Sequence, residues 1–181
     1  MGQTAKPPGK RTLPGVGPGV PREGDQRIPA ERWNWMTIEL ATVARAADCA
    51  RISRVARKRA LPYLPDLHTT DEDLDFFANR VFGNDTVFIA LDEERQSVGF
   101  IAFGDGWINH LYVLPSHQGL GIGGLLLDKA KQGARTLRLW TFERNGRALR
   151  FYRKRGFSVI DRTDGARNEE QQPDLLLQWD S

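Results

Sequence analysis

The stretch His117-Gln118-Gly119-Leu120-Gly121-Ile122-Gly123-Gly124, HQGLGIGG, decides how the rest of the chain is read. Gly119, Gly121 and Gly124 spell G-x-G-x-x-G, the spacing of a dinucleotide-binding turn. The apolar run GWINHLYVL before the loop reads as a strand, and the residues after it read as a helix from about Gly121 to Ala134. Glu143, 24 residues after Gly119, stands about where an acid would meet a ribose hydroxyl. The physics of such a loop is broader than one ligand. Glycines let the backbone approach an anion closely, and a helix N-terminus offers unpaired N–H groups and a positive dipole end to any pyrophosphate. Coenzyme A carries a pyrophosphate too, so the loop alone leaves both ligands open.

The surroundings of the loop separate them. TVFIALD, SVGFIAFG and GWINHLYVL are three consecutive strand-like runs with short connections, which implies an antiparallel meander. A dinucleotide fold places its glycine turn in the first strand-helix-strand unit of a parallel sheet. Here the turn follows a meander, and only 57 residues remain after Gly124, so a six-stranded doubly wound sheet does not fit.

Outward from there, TIELAT reads as a short strand and Ala46 to Ala60 as a helix with Cys49, Ile52, Val55 and Ala56 on one face. Prolines in LPYLP break that helix, and Thr70 with Asp73 three residues on resembles a cap that starts a second one. The intervening loop holds Tyr63 and His68. Beyond the glycine loop, LRLWTF is a strand, RALRFYRKRG a helix, and FSVIDRT and DLLLQWD a closing pair of strands. The total is about seven strands and four helices in one α/β (α+β) domain, its sheet mixed and mostly antiparallel.

Composition bounds the rest. The chain has 181 residues, 40% of them hydrophobic, enough for one compact core. Residues 1–35 are dense in Pro and Gly without an apolar period and read as a disordered extension; the folded domain is expected over 36–181. That extension holds six Lys/Arg and three Asp/Glu, so the net charge of +3 belongs to it and the body is formally neutral. The cluster Arg51, Arg54, Arg57, Lys58 and Arg59 has no interleaved aromatics for stacking bases, which argues for a solvated helix face and against a nucleic-acid partner. One cysteine, Cys49, excludes an internal disulfide, and no apolar run is long enough to span a membrane. The expectation is a cytoplasmic protein. His68, His110 and His117 do not have metal-ligand spacing, so no metal is expected.

Two longer motifs carry a resemblance. Leu111 to Gly124, with Gln118, Gly121 and Gly123 in the pattern Gln/Arg-x-x-Gly-x-Gly/Ala, resembles the acetyl-CoA loop of the GNAT N-acetyltransferase family. Asn145 to Phe157, NGRALRFYRKRGF, resembles its second signature, N-x-x-A-x-x-F-Y-x-x-x-G-F. The resemblance covers the chain from about Thr37 onward and implies the GNAT fold. It also implies an acetyl-CoA-dependent N-acetyltransferase that needs no metal, with a small-molecule or side-chain amine as acceptor and a homodimer as one option.

The same resemblance implies that acetyl-CoA lies between the strand ending near Val113 and the strand ending near Phe142. Its pantetheine would pair with Leu111, Tyr112 and Val113. Its pyrophosphate would meet N–H groups of Gly119, Leu120, Gly121, Ile122, Gly123 and Gly124. Gln118 and Asn145 would add cofactor contacts, Asn145 also being a plain helix N-cap. Tyr152 matches the family tyrosine that protonates the departing thiolate, and an N–H near Val113 would polarise the acetyl carbonyl. In relatives that acetylate protein N-termini an acid stands where this chain has Trp140, so the base is not legible. Glu143 and His110 are the substitutes, each with a plainer role as surface ion pair or core histidine. Tyr63, His68, Trp107 and Trp140 are candidates to line the acceptor side. The missing acid keeps open an alternative, an acyl-CoA-binding GNAT module that acts as a sensor or partner surface without turnover.

Overall fold

The computed structural model describes residues 36–181; the extension read over residues 1–35 lies outside the described residues. Seven strands form one sheet: β1 (Thr37–Leu40), β2 (Thr86–Leu91), β3 (Ser97–Gly104), β4 (Trp107–Val113), β5 (Thr136–Phe142), β6 (Ser158–Thr163) and β7 (Asp174–Asp180). Their order is β1-β2-β3-β4-β5-β7-β6, and every neighbouring pair is antiparallel except β4 and β5. The expected meander is β2-β3-β4, and the expected closing pair is β6 with β7. The last strand lies inside the sheet, between β5 and β6, and leaves β6 at the edge.

Strand alternation sends side chains to two cores. Val87, Ile89, Leu91, Phe100 and Ala102 pack on one face with α1 (Ala46–Ala60). Ala90, Ile101, Val113, Leu137 and Leu177 pack on the other with α3 (Ile122–Lys131) and with Tyr152 of α4 (Gly146–Arg153). The first helix has the expected limits, but its buried face is Ala46, Cys49, Ala50, Ile52 and Ala56, while Val55 is 42% exposed. At 3.6 residues per turn Val55 sits roughly 130° from the centre of that stripe. Four of the basic residues of α1 are paired: Arg51 with Asp48, Arg54 with Asp73, Arg57 with Glu170 and Lys58 with Asp66.

The second helix, α2, starts one residue earlier than the sequence reading. Thr69 and Glu72 form the capping box, in place of Thr70 and Asp73; this leaves the Asp73 carboxylate to accept from Arg54 Nε at 2.8 Å. α2 runs Thr70–Asp75, widens into a π-helical stretch over Phe76–Val81 and ends with Phe82–Asn84. α3 stops at Lys131 rather than Ala134, with Gly133 in the left-handed region at φ +79°. No described helix is long and apolar enough to cross a membrane.

Candidate active site

The parallel strands β4 and β5 pair only at Trp107 and Arg138 and then splay. The gap opens into a cleft of about 960 Å³, with Leu111 to Val113 on one lip and Trp140 to Phe142 on the other. That size suits a ligand.

Backbone direction on β4 follows from two bonds. Leu114 N–H donates to Val98 C=O on β3 at 2.8 Å, so by alternation the polar groups of Val113 point the other way, into the gap. The Val113 carbonyl is taken by Gln118 Nε2 at 2.8 Å. Its N–H is left facing the cleft, and Leu111, two residues back, has the same orientation. Tyr112 instead directs its backbone toward β3 and contributes its side chain to the cleft wall. Gln118, expected as a cofactor contact, thus also pins the loop to the end of β4.

The glycine loop lies at the mouth. Gly121 caps α3 in the left-handed conformation, φ +92°, which a side chain would strain. Gly124 N–H already donates to the Gly121 carbonyl at 2.8 Å, so the donors left for an anion precede it. Gly119, Gly121, Ile122, Gly123 and Gly124 line the cleft; Leu120 does not, and its side chain is 45% exposed. A basic row that the sequence reading missed faces the loop from α4 and the turn after it: Arg147, Arg150, Lys154 and Arg155. Arg155 lies against Phe151, 3.9 Å from the ring centre, with Nη2 only 2.6 Å from where a Cβ on Gly124 would stand. The clue was present in R-x-x-R-x-x-x-K-R, a helical spacing that returns basic residues to one side.

The titratable groups have altered proton affinities. Tyr152 is buried among Phe151 and Phe157, and burial first, then Tyr112, pushes its phenol well above the ordinary value of 10. Tyr112 is raised as well, by burial. His110 packs against Phe76, Phe77, Phe100 and Tyr112, and burial lowers its pKa from 6.5 to about 4. An imidazole expected near 6.5 is therefore neutral in the cleft and a weak base.

Asn145 takes the plainer of the two roles considered for it, the cap, and stands at the cleft as well. Its Oδ1 accepts from Ala148 N–H at 3.1 Å as the cap of α4, and the residue also lines the cleft. Glu143 does not reach the cleft. Its carboxylate accepts from Arg162 at 2.7 Å and its N–H donates to Pro173, so β5 and its neighbours turn it outward. Of the aromatics expected on the acceptor side, Trp140 lines the cleft, whereas Tyr63, His68 and Trp107 do not.

Contacts join the N-terminal helices to the C-terminal part of the domain. Arg57 Nη2 donates to Glu170 Oε1 at 2.8 Å, His68 faces Glu169 at 3.1 Å, and Arg144 stacks on Tyr63 at 4.1 Å. Glu170, Asn168 and Asp174 line the cleft. All three were missed as site residues, because only the folding back of the β6-β7 connection brings them there. Among the described residues no cluster of three or more His, Cys, Asp or Glu could hold a metal ion.

Residues 83–159 match the acetyltransferase (GNAT) domain family. The chain is 32% identical over 78 residues to the peptidyl-lysine N-acetyltransferase YjaB of Escherichia coli (strain K12), covering 43% of this chain and 53% of that relative. The chain spans about half the length of these curated relatives. The fold extends further: the solution structure of apo-form YjaB from Escherichia coli superimposes with a TM-score of 0.67 at 23% identity, covering 80% of this chain and 97% of that one. PaiA N-acetyltransferase from Thermoplasma acidophilum, solved in complex with coenzyme A, superimposes with a TM-score of 0.65 at 19% identity, covering 81% and 99%. The span that matches the acetyltransferase (GNAT) domain family contains both the glycine loop and the Asn145-to-Phe157 motif.

Proposed function

We propose that this protein is an N-acetyltransferase that transfers the acetyl group of acetyl-CoA to a primary amine. The observation that carries the reading is the splayed β4-β5 gap, with an inward N–H at Val113, a helix N-terminus at its mouth and a buried phenol within it. The residues present fit the donor. The N–H groups before Gly124 and the basic row Arg147, Arg150, Lys154 and Arg155 suit its phosphates, and the outward edge of β4 suits an extended amide arm.

When bound, acetyl-CoA supplies the activated acetyl thioester. Val113 N–H holds the position of a donor to the carbonyl oxygen, where negative charge develops. Tyr152 keeps a proton for the departing sulfur. Its raised pKa means that the phenol stays protonated across the physiological range, so no fraction of the donor is lost to ionisation. Similarity to the peptidyl-lysine N-acetyltransferase YjaB favours an amine on a flexible aliphatic stem as acceptor.

The test is acetyl-CoA-dependent thiol release with a panel of primary amines, comparing the wild type with Tyr152→Phe. The variant is expected to lose about 10²-fold in kcat with its acetyl-CoA affinity kept. Equal kcat at every pH would remove the role assigned to Tyr152, and no turnover of any amine would remove the enzyme reading.

A further inference from the structure

The acceptor amine arrives as an ammonium at neutral pH, since an alkyl amine has a pKa of about 10.4. It must lose a proton before it can attack, and an anion in the cleft is the group that would draw the ammonium in, which neither group read from the sequence supplies. Glu143 is bound to Arg162 outside the cleft, and His110 is held neutral in an aromatic nest. Two other carboxylates line the cleft, Asp174 and Glu170. Asp174 is engaged at both oxygens, by the Thr163 hydroxyl and by Asn168 Nδ2, and so fastens the β6-β7 connection at the start of β7. Glu170 differs. Its side chain is only 15% exposed, and Arg57 donates to one oxygen, Oε1, which leaves Oε2 without that bond.

The placement of this carboxylate is built from both ends of the domain. Arg57 reaches it from α1, and the fastened connection carries it in from the other side. The wall beside it is apolar, with Ala56, Ala60 and Leu61 of the first helix and its end. Tyr112 and Tyr152 line the same cleft as Glu170 and Arg57. A half-free carboxylate beside apolar side chains, in the same cleft as a phenol, has the chemistry needed to receive an alkylammonium and take its proton.

We propose that Glu170 receives the acceptor's ammonium group in the cleft and takes its proton, a role that rests on the N-acetyltransferase reading above. The ammonium gives one proton to the Glu170 carboxylate and becomes a neutral amine; its nitrogen bonds to the acetyl carbon as the carbon–sulfur bond breaks. The sulfur leaves with the bonding electron pair and takes the Tyr152 proton. The phenolate is restored by the second proton from nitrogen, and Glu170 releases its proton to solvent. Besides Arg57, Tyr112 and Asp174, the charged or titratable groups of this cleft are His110 and His117 and the basic row on and after α4.

Glu170→Gln tests this on the full chain, because glutamine keeps an oxygen for Arg57 and loses only the charge and basicity. The probe is Nα-acetyl-lysine methylamide with acetyl-CoA, followed by thiol release from pH 6 to 9, alongside acetyl-CoA titration of each protein. The wild type is expected to hold kcat/KM nearly flat over that range, since it uses the abundant ammonium form. The variant is expected to fall about 10²-fold at pH 7, with its kcat/KM rising about tenfold per pH unit toward the amine pKa of about 10.4 and its acetyl-CoA affinity unchanged. Glu93→Gln, altering an exposed carboxylate in the turn between β2 and β3 that does not line the cleft, should match the wild type. Glu170→Asp should keep the flat profile at a reduced kcat, and it carries the comparison if the glutamine variant melts below assay temperature. Wild-type kcat in both Glu170 variants would overturn the proposal, as would a wild-type profile that already climbs tenfold per unit. So would a wild type that binds acetyl-CoA and leaves the probe untouched. Failure of the wild type to bind acetyl-CoA would instead overturn the reading on which it rests.

Discussion

Tyr152 and His110 show how burial sets chemistry at single residues. Each is a titratable ring among aromatic neighbours, and in each case the uncharged form is favoured, which raises the phenol and lowers the imidazole. For His110 this has a consequence for stability. Its folded pKa of about 4 lies below the unfolded value of about 6.5, so below pH 6.5 the unfolded chain binds the extra proton. The contribution is whole above pH 6.5, declines through the window between the two values and is gone below about pH 4. Urea unfolding at pH 7 and pH 5 should show a loss of about 2 kcal/mol from this group, and His110→Phe should remove that part of the difference. An unchanged difference in the variant would place the acid sensitivity elsewhere. The motif residues Gln118, Gly121, Asn145 and Tyr152 were legible because each belongs to a local pattern. Glu170 and Arg57 were not, because they lie 113 residues apart and share no pattern.

At the scale of elements, periodicity carried most of the fold. The strands over Thr86–Leu91, Ser97–Gly104 and Thr136–Phe142 and the helix over Ala46–Ala60 match their apolar patterns closely. The errors fell where two neighbouring residues offered the same chemistry. Thr69 and Thr70 each have an acid three residues on, and tertiary structure chose between them: Asp73 is drawn to Arg54. Thr69 therefore holds the box, with its side chain accepting from Glu72 N–H at 3.2 Å and its N–H donating to Glu72 at 2.7 Å. Thr69→Ala should cost about 1 kcal/mol of unfolding free energy, whereas Thr70→Ala should cost little; the reverse order in a denaturant titration would contradict the assignment. The π-helical widening at Phe76–Val81 had no sequence mark at all. It belongs to the turn that brings Phe76 and Phe77 over His110.

At the scale of the molecule, one topological fact organises the rest. An antiparallel meander leads into a single parallel neighbour, and the crossover helix between them starts on the glycine loop. The meander before HQGLGIGG was visible in the sequence and was enough to set aside a doubly wound sheet. The insertion of β7 between β5 and β6 was not visible, since strand order depends on long-range pairing that no local pattern encodes. That insertion also determines where the 164–173 connection runs, and hence which carboxylates reach the cleft. The ligand of that cleft decides the chemistry, so the first measurement is calorimetric titration of the full chain with acetyl-CoA, and with NADPH in parallel. Micromolar binding of acetyl-CoA with no heat from NADPH is the predicted result; binding of NADPH with none of acetyl-CoA would contradict it.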